Sequence, residues 1–231
     1  MSTVDWHPRY RVDWQVPFQE AARSALTPGS VVIDIGGGRQ PALLKGALPA
    51  DVTYIGIDLS AGELASAPTG SYDRTIVADV GARLPDLAGC ADLIISWQVL
   101  EHVAPLDAAI ANMHLYLRPG GLLVAQLSGG RSAFALVNRL LPHRLAKLAM
   151  ERLLQRNPEL VFPASYDRCT FSGLSGLFAG WSEVRIIPQY RGAGYFRFLR
   201  PLQALYLRYE DLLVRGKHRD LATHYLIVAR R

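Results

Sequence analysis

The 231-residue sequence has little cysteine. Cys90 and Cys169 stand 79 positions apart, and neither belongs to a C-x-x-C or Cys/His cluster. That spacing argues against cysteine-based metal or redox chemistry and leaves two packing residues. Long apolar runs are also missing: none reaches the roughly 18 to 20 residues that cross a bilayer. The start, MSTVDWHPRYRVDW, is polar and aromatic rather than basic and then apolar, so a cytoplasmic location is the expectation. There is no carboxylate-rich metal cluster, since adjacent Glu101 and His102 offer one or two ligands at most, and no metal is expected. Internal repeats and low-complexity segments are absent as well.

What is present is ordinary for a folded chain: half the residues are hydrophobic and 19% are charged. The length suits one domain with one core, expected to span 1–231. Charge, however, is unevenly distributed. Residues 1–130 hold 8 Lys and Arg against 13 Asp and Glu, a net of −5, and residues 131–231 hold 17 against 7, a net of +10. The second part is the one suited to meeting anions.

Apolar, β-branched runs recur at VVIDI (31–35), VTYIGI (52–57), RTIVA (74–78), ADLIIS (91–96) and GLLVAQLS (121–128). Continuous apolar character predicts strands covered on both faces. Between them lie crossover lengths such as PLDAAIANMHLYLRPG, where Leu106, Ile110, Met113 and Leu117 fall at helical spacing before an RPGG stop. Alternation of strand and helix predicts an α/β, doubly wound, mainly parallel sheet. FQEAARSALTPGS reads as a short amphipathic helix within an N-terminal cap, 1–30. Residues 131–156 read as helices broken at Pro142. Two further strands, SEVRIIP (182–188) and THYLIVARR (223–231), flank an arginine-rich helical insert.

VVIDIGGGRQP (31–41) moves from a buried strand straight into three glycines. Such a turn lets the backbone approach a nucleotide-like ligand. The dinucleotide fingerprint G-x-G-x-x-G is weakened, because Pro41 stands where its third glycine belongs. Asp34, Gly36 and Gly38 instead resemble the hh[D/E]hGxGxG signature of class I S-adenosylmethionine (SAM)-dependent methyltransferases, with Gln40 in place of the last glycine. Asp58, 24 residues after Asp34, ends the second strand where a carboxylate can accept from both ribose hydroxyls. Asp79 resembles the family's acidic residue that accepts from the adenine amino group, with the Val80 N–H facing the ring; read alone, Asp79 equally suits a helix N-cap. ADLIISWQVLEHV resembles the fourth strand and turn of the subgroup that includes ubiquinone and menaquinone biosynthesis methyltransferases, and LYLRPGGLLVAQL resembles the turn into strand five.

These motifs cover about 31–128. The resemblance implies a Rossmann-like seven-stranded sheet with an antiparallel last strand, helical inserts at 129–180 and 189–222 forming an acceptor lid, and SAM as cofactor. The cofactor set it implies is Asp34, Gly36, Gly38, Asp58, Leu59, Asp79, Val80 and Ser96.

The catalytic expectation is His102, a base at the carboxyl edge of strand four; the alternative is that it only opens the next helix or lines the cofactor pocket. His143, Tyr166, Asp167, His218 and His224 are secondary candidates. Arg9 and Tyr10 either fold over the methionine end of SAM or anchor an N-terminal arm. Two basic groups, Arg139, Arg144, Lys147, Arg152 and Arg156, then Arg197, Arg200, Arg208 and Arg215, suit a solvated face, an anionic membrane surface or a phosphorylated substrate. Nucleic acid is not an expected partner, because no recognition motif is present. Three functions follow: O-methylation of a small-molecule, sugar or glycan hydroxyl; C-methylation of a quinone or other aromatic ring; and a non-catalytic SAM-binding, membrane-associated partner protein.

Overall fold

Valine, leucine and isoleucine at successive positions of residues 31–35, 53–57 and 91–96 favour burial on both faces of a strand, which a sheet covered by helices provides. In the computed structural model, which describes residues 7–133, 135–136 and 164–231, this is the arrangement. β1 (Val31–Ile35), β2 (Thr53–Asp58), β3 (Arg74–Val77), β4 (Ala91–Trp97), β5 (Leu117–Ser128), β6 (Glu183–Gln189) and β7 (His224–Arg230) form one sheet, in the order β3-β2-β1-β4-β5-β7-β6. The first five strands pair in parallel. β7 runs antiparallel to both β5 and β6, so only the last strand is reversed. Strand order turns round between β1 and β4, which opens a crevice at their carboxyl ends.

Helices cover both faces. Among the described residues they include α1 (Pro8–Arg11), α2 (Val16–Arg23), α3 (Ala61–Ala65), α4 (Leu106–Tyr116), α5 (Phe171–Leu177) and α6 (Arg200–Arg215). Phe18 and Ala22 of α2 pack with Val32, Leu93, Ile95 and Val124. The alternate strand residues Ile33, Ile94, Leu123 and Ile227 pack on the other face with Leu106, Ile110 and Met113 of α4 and Leu174 of α5. Each such side chain, fully buried, contributes about 1.5 to 3 kcal/mol.

Three expectations are corrected. β3 is not covered on both faces: it is one edge of the sheet, as β6 is the other, and Arg74, Thr75, Val77, Glu183 and Arg185 lie exposed. Charged residues there discourage a further strand from pairing. Leu117 starts β5 instead of ending the helix. RPGG is an excursion within β5, where the β4 pairing jumps from Ala91↔Leu117 to Leu93↔Leu122 and Gly120 takes φ +80°. The expected basic hairpin, with His143, Arg139, Arg144, Lys147, Arg152 and Arg156, lies outside the described residues. Cys90 and Cys169 form no disulfide among the described residues, and Cys169 is buried with its thiol donating to the Asp167 carbonyl at 3.3 Å. Among the described residues no helix is long and apolar enough to cross a membrane, and no cluster of metal-ligating side chains occurs.

Candidate functional site

The carboxyl end of β1 carries Asp34 into the glycine turn. Asp34 is fully buried; its Oδ2 accepts from the Tyr54 hydroxyl at 2.6 Å and the Ala42 N–H at 2.9 Å. Burial pushes its carboxyl up to about 6, against those two hydrogen bonds and with help from the charge of Asp58. Asp34 therefore braces the turn from beneath.

The glycines meet crowding from this chain's own side chains. Gly36 takes φ +71°, donates to the Ile57 carbonyl at 2.7 Å, and has the Val99 side chain where a Cβ would stand. A Cβ on Gly37 would meet the Tyr72 hydroxyl and lie 2.6 Å from Asp34 Oδ2; one on Gly38 would lie 3.0 Å from Asp58 Oδ2. Gln40, where the signature has its last glycine, is exposed and only closes a turn onto the Gly37 carbonyl at 2.9 Å. No close approach is required there, so a side chain is tolerated. Arg39 forks onto Glu63 with two contacts of 2.6 Å, tying the turn to α3.

Asp58 ends β2 with Oδ1 accepting from Ser60 N at 2.8 Å. Its Oδ2 faces Gly38, and burial raises the carboxyl above the usual range. Neighbouring Leu59 is exposed. Beyond β3, Asp79 is exposed and accepts from Gly81 N at 2.7 Å. Asn112 of α4 holds this loop by donating to the carbonyls of Val80 and Gly81, both at 3.0 Å. Ser96 is fully buried and donates to the Ile35 carbonyl at 3.2 Å, so it also supports the turn from below. The expected cofactor residues thus gather on the ends of β1, β2, β3 and β4. Within that set Asp34 and Ser96 are props, while Gly38 and Asp58 stand side by side.

His102 closes the single turn Leu100–His102 after β4 and is partly exposed. Next to it Glu101 is buried, and burial raises its carboxyl although the His102 charge works the other way. Ser128 N donates to Glu101 Oε1 at 3.2 Å, and Tyr166 N donates to the Glu101 carbonyl at 2.9 Å. Tyr166 thereby fixes the turn through its backbone. Asp167 is a helix cap, accepting from Leu106 N at 2.8 Å, and His218 is exposed on a distant turn.

Arg9 and Tyr10 anchor the N-terminal arm to α6. Arg9 pairs with Asp211 at 2.7 Å, and the Tyr10 hydroxyl donates to Glu210 Oε2 at 2.8 Å. Buried Glu210 also accepts from Gly192 N and Ala193 N, and Arg191 donates to the Arg9 and Val12 carbonyls. One carboxyl therefore holds both the arm and the loop 192–196. Beside it lies an aromatic group that spacing did not reveal: Trp14 sits 4.8 Å from Trp97 and 5.1 Å from His224, ring to ring, and the Tyr195 hydroxyl is 3.2 Å from His224 Nε2. Fully buried Gln126 stands opposite Trp97 in the ladder. A glutamine inside the otherwise apolar run GLLVAQL was the available signal.

Comparison with known proteins agrees with this layout. The family model described as a methyltransferase domain matches residues 9–172. A ubiquinone biosynthesis O-methyltransferase of Agrobacterium fabrum is 31% identical over 156 residues, 61% of this chain and 57% of that protein. An uncharacterized methyltransferase of Mycolicibacterium gilvum is 33% identical over 107 residues, 45% of this chain and 41% of its own length. The matches thus span about half the length of these curated relatives. Among solved structures, a SAM-dependent methyltransferase of Mesorhizobium loti shares the fold with a TM-score of 0.52 at 20% identity, covering 99% of this chain and 100% of that one. A putative SAM-dependent methyltransferase of Listeria monocytogenes gives 0.57 at 13%, covering 94% and 98%. With the family model covering well over half of its residues, the chain belongs to the class I SAM-dependent methyltransferases.

Proposed function

We propose that the protein methylates a hydroxyl oxygen of a small molecule, of the sugar or glycan type or another compact hydroxyl compound. The observation that carries this reading is the position of His102 on the turn after β4, beside the buried Glu101 and at the sheet edge that also holds Gly38 and Asp58. The residues at that edge suit the cofactor. Asp58, raised by partial burial and facing the glycine turn, is an acceptor matched to hydroxyl donors. Asp58 and Leu59 would hold the ribose, Asp79 and the Val80 N–H the adenine, and the main chain of Gly36 and Gly38 the methionine part.

Bound SAM supplies a methyl group on a positively charged sulfur. The chain's own task is to hold the acceptor oxygen in line and to take its proton. Positioning contributes roughly 7 to 11 kcal/mol to such a transfer, and a base worth 10² to 10⁴ in rate about 3 to 6 kcal/mol. An imidazole nitrogen of His102 would take the hydroxyl proton as the acceptor oxygen bonds to the methyl carbon and that carbon's bond to sulfur breaks, leaving a neutral thioether, and the neighbouring Glu101 carboxyl would help to offset the charge that His102 gains.

Incubating a cell extract with the protein and methyl-labelled SAM, followed by mass spectrometry and NMR, tests the reading. A labelled product with a methoxy shift is expected, and His102→Ala should lower its rate by about 10² to 10⁴. A label on carbon would establish C-methylation instead, and SAM binding without any product would leave a non-catalytic binding protein.

A second observation supports contact with an anionic membrane surface. Leu205, Arg208, Leu212 and Arg215 follow one another on a single side of α6. Leu205 and Leu212 are 64% and 63% exposed, and Arg197 and Arg200 are exposed where the helix begins. We propose that this face rests on acidic headgroups. Co-sedimentation with phosphatidylglycerol vesicles but not phosphatidylcholine vesicles, lost in the double variant Arg208→Glu and Arg215→Glu, is the expected result; equal recovery with both vesicle types would overturn it.

A further inference from the structure

A glycine inside a strand packs no side chain and weakens it, and it marks a place where something else approaches the backbone closely. β2 has such a residue, Gly56 of TYIGID. The close neighbour is Tyr72, two residues before β3. A Cβ on Gly56 would lie 2.8 to 2.9 Å from three atoms of the Tyr72 ring, nearer than a real side chain could stand. Residues 54, 56 and 58 point to one face of β2, and on that face the Tyr72 ring also meets the Tyr54 ring, 5.2 Å between centres. The backbone beside it is pinned: Asp73 N donates to the Tyr54 carbonyl and Tyr54 N to Asp73 Oδ2, both at 2.8 Å.

The ring thus lies along β2 and carries its hydroxyl to the glycine turn. A Cβ on Gly37 would collide with that hydroxyl, which donates to the Gly38 carbonyl at 3.3 Å. One side chain therefore requires two bare positions, Gly37 after β1 and Gly56 within β2. Burial, together with the charges of Asp34 and Asp58, pushes the phenol well above its ordinary range, so it stays a donor through neutral pH. In a trans peptide the C=O and N–H lie in one plane and point opposite ways. Holding the Gly38 carbonyl towards Tyr72 accordingly turns the Arg39 N–H to the other side. Gly38, at φ +45°, is then fixed between Tyr72 on its carbonyl and Asp58, whose Oδ2 lies 3.0 Å from where its Cβ would stand.

We propose that Tyr72 is a positioning residue for the cofactor, acting through the glycine turn. Its hydroxyl sets the direction of the peptide between Gly38 and Arg39 and the placing of Gly38 against Asp58, and with them the affinity of the turn for SAM. The inference concerns cofactor binding alone and holds whichever acceptor atom receives the methyl group.

The test measures S-adenosylhomocysteine binding by calorimetric titration of the whole protein, well below its unfolding temperature, for wild type, Tyr72→Phe, Gly56→Ala and the double variant. Tyr72→Phe keeps the ring in its slot and removes only the hydroxyl; it should weaken binding about three- to tenfold. Gly56→Ala displaces the ring, and with it the hydroxyl, and should weaken binding at least as much. The double variant should bind within about twofold of the weaker single variant, because both changes remove one contact. A purely structural role would lower the midpoint of thermal unfolding and leave the affinity of the folded protein unmoved. The proposal is overturned if Tyr72→Phe binds as wild type does, whatever its unfolding midpoint, or if the losses of the two single variants multiply in the double one. Should Gly56→Ala not fold, Tyr72→Phe alone decides. Wild-type protein that fails to bind S-adenosylhomocysteine would overturn the placing of the cofactor at this turn, and the proposal with it.

Discussion

The two ends of the sheet's carboxyl edge are built differently. Around β1, β2 and β3 the bonds that shape the site join residues close in sequence: Asp34 with Ala42 and Tyr54, Arg39 with Glu63, Asp58 with Ser60. Around β5 and β7 they join residues far apart, such as Tyr10 with Glu210 and Arg9 with Asp211, 200 and 202 positions away. Charge divides in the same direction, from a net of −5 over residues 1–130 to +10 thereafter. The family's sequence motifs fall on a compact strand–turn unit, whereas the other end is assembled from the arm, the last insert and the final strand. The difference separates what spacing can encode from what only tertiary structure brings together.

Four substitutions would break or sharpen that contrast. The largest effect is expected at Asp58, whose carboxylate faces Gly38. Asp58→Ala should weaken SAM binding more than about a hundredfold in a calorimetric titration, because a charged acceptor for two hydroxyls is removed. On the other side, Glu210→Ala leaves the amides of Gly192 and Ala193 and the Tyr10 hydroxyl without their shared acceptor. Urea unfolding should show a loss of about 2 to 4 kcal/mol, with little change in SAM affinity if the two ends are independent.

Asp34→Asn should act through pH. Below about pH 4 the aspartate is protonated both folded and unfolded. Between there and about pH 6 the unfolded chain ionises while the folded one keeps its proton, so wild-type stability falls as pH rises and stays lowered above that window. The distance between about 4 and about 6 bounds the loss at roughly 3 kcal/mol. The Asp34→Asn variant should therefore be more stable than wild type at about pH 7.5, and the gap should narrow towards pH 4 in thermal melts. The smallest effect belongs to Arg39→Ala, which breaks an exposed ion pair with Glu63. SAM affinity should change by less than about twofold, and less still in high salt.

The parallel sheet was legible in the sequence because continuous apolar runs and crossover lengths leave few arrangements. The layout of the carboxyl edge was legible because Asp34, the glycines, Asp58 and Asp79 fall at or just beyond the ends of the apolar runs that form β1, β2 and β3. The roles of Asp34 and Ser96 were not: both sit in the expected places, yet burial turns them into supports for the turn, and burial depends on Tyr54, Tyr72 and the neighbouring strand. The aromatic group around Trp14 was hidden for a similar reason. Trp14, Gln126, Tyr195 and His224 have no common spacing, and they meet because β7 inserts between β5 and β6 and α6 clamps the arm. The covered-strand expectation failed at β3, since a short apolar run such as TIVA does not reveal whether a strand has one neighbour or two.

Amide hydrogen exchange with and without S-adenosylhomocysteine tests the central claim most directly, because it reads the two ends of the sheet at once. Protection should rise at Gly36–Gln40, at Asp58–Ser60 and at Asp79–Gly81, and remain unchanged at 192–196. Protection confined to 192–196 and the arm, with the three β1–β3 turns unaffected, would contradict the assignment of the acidic edge to the cofactor.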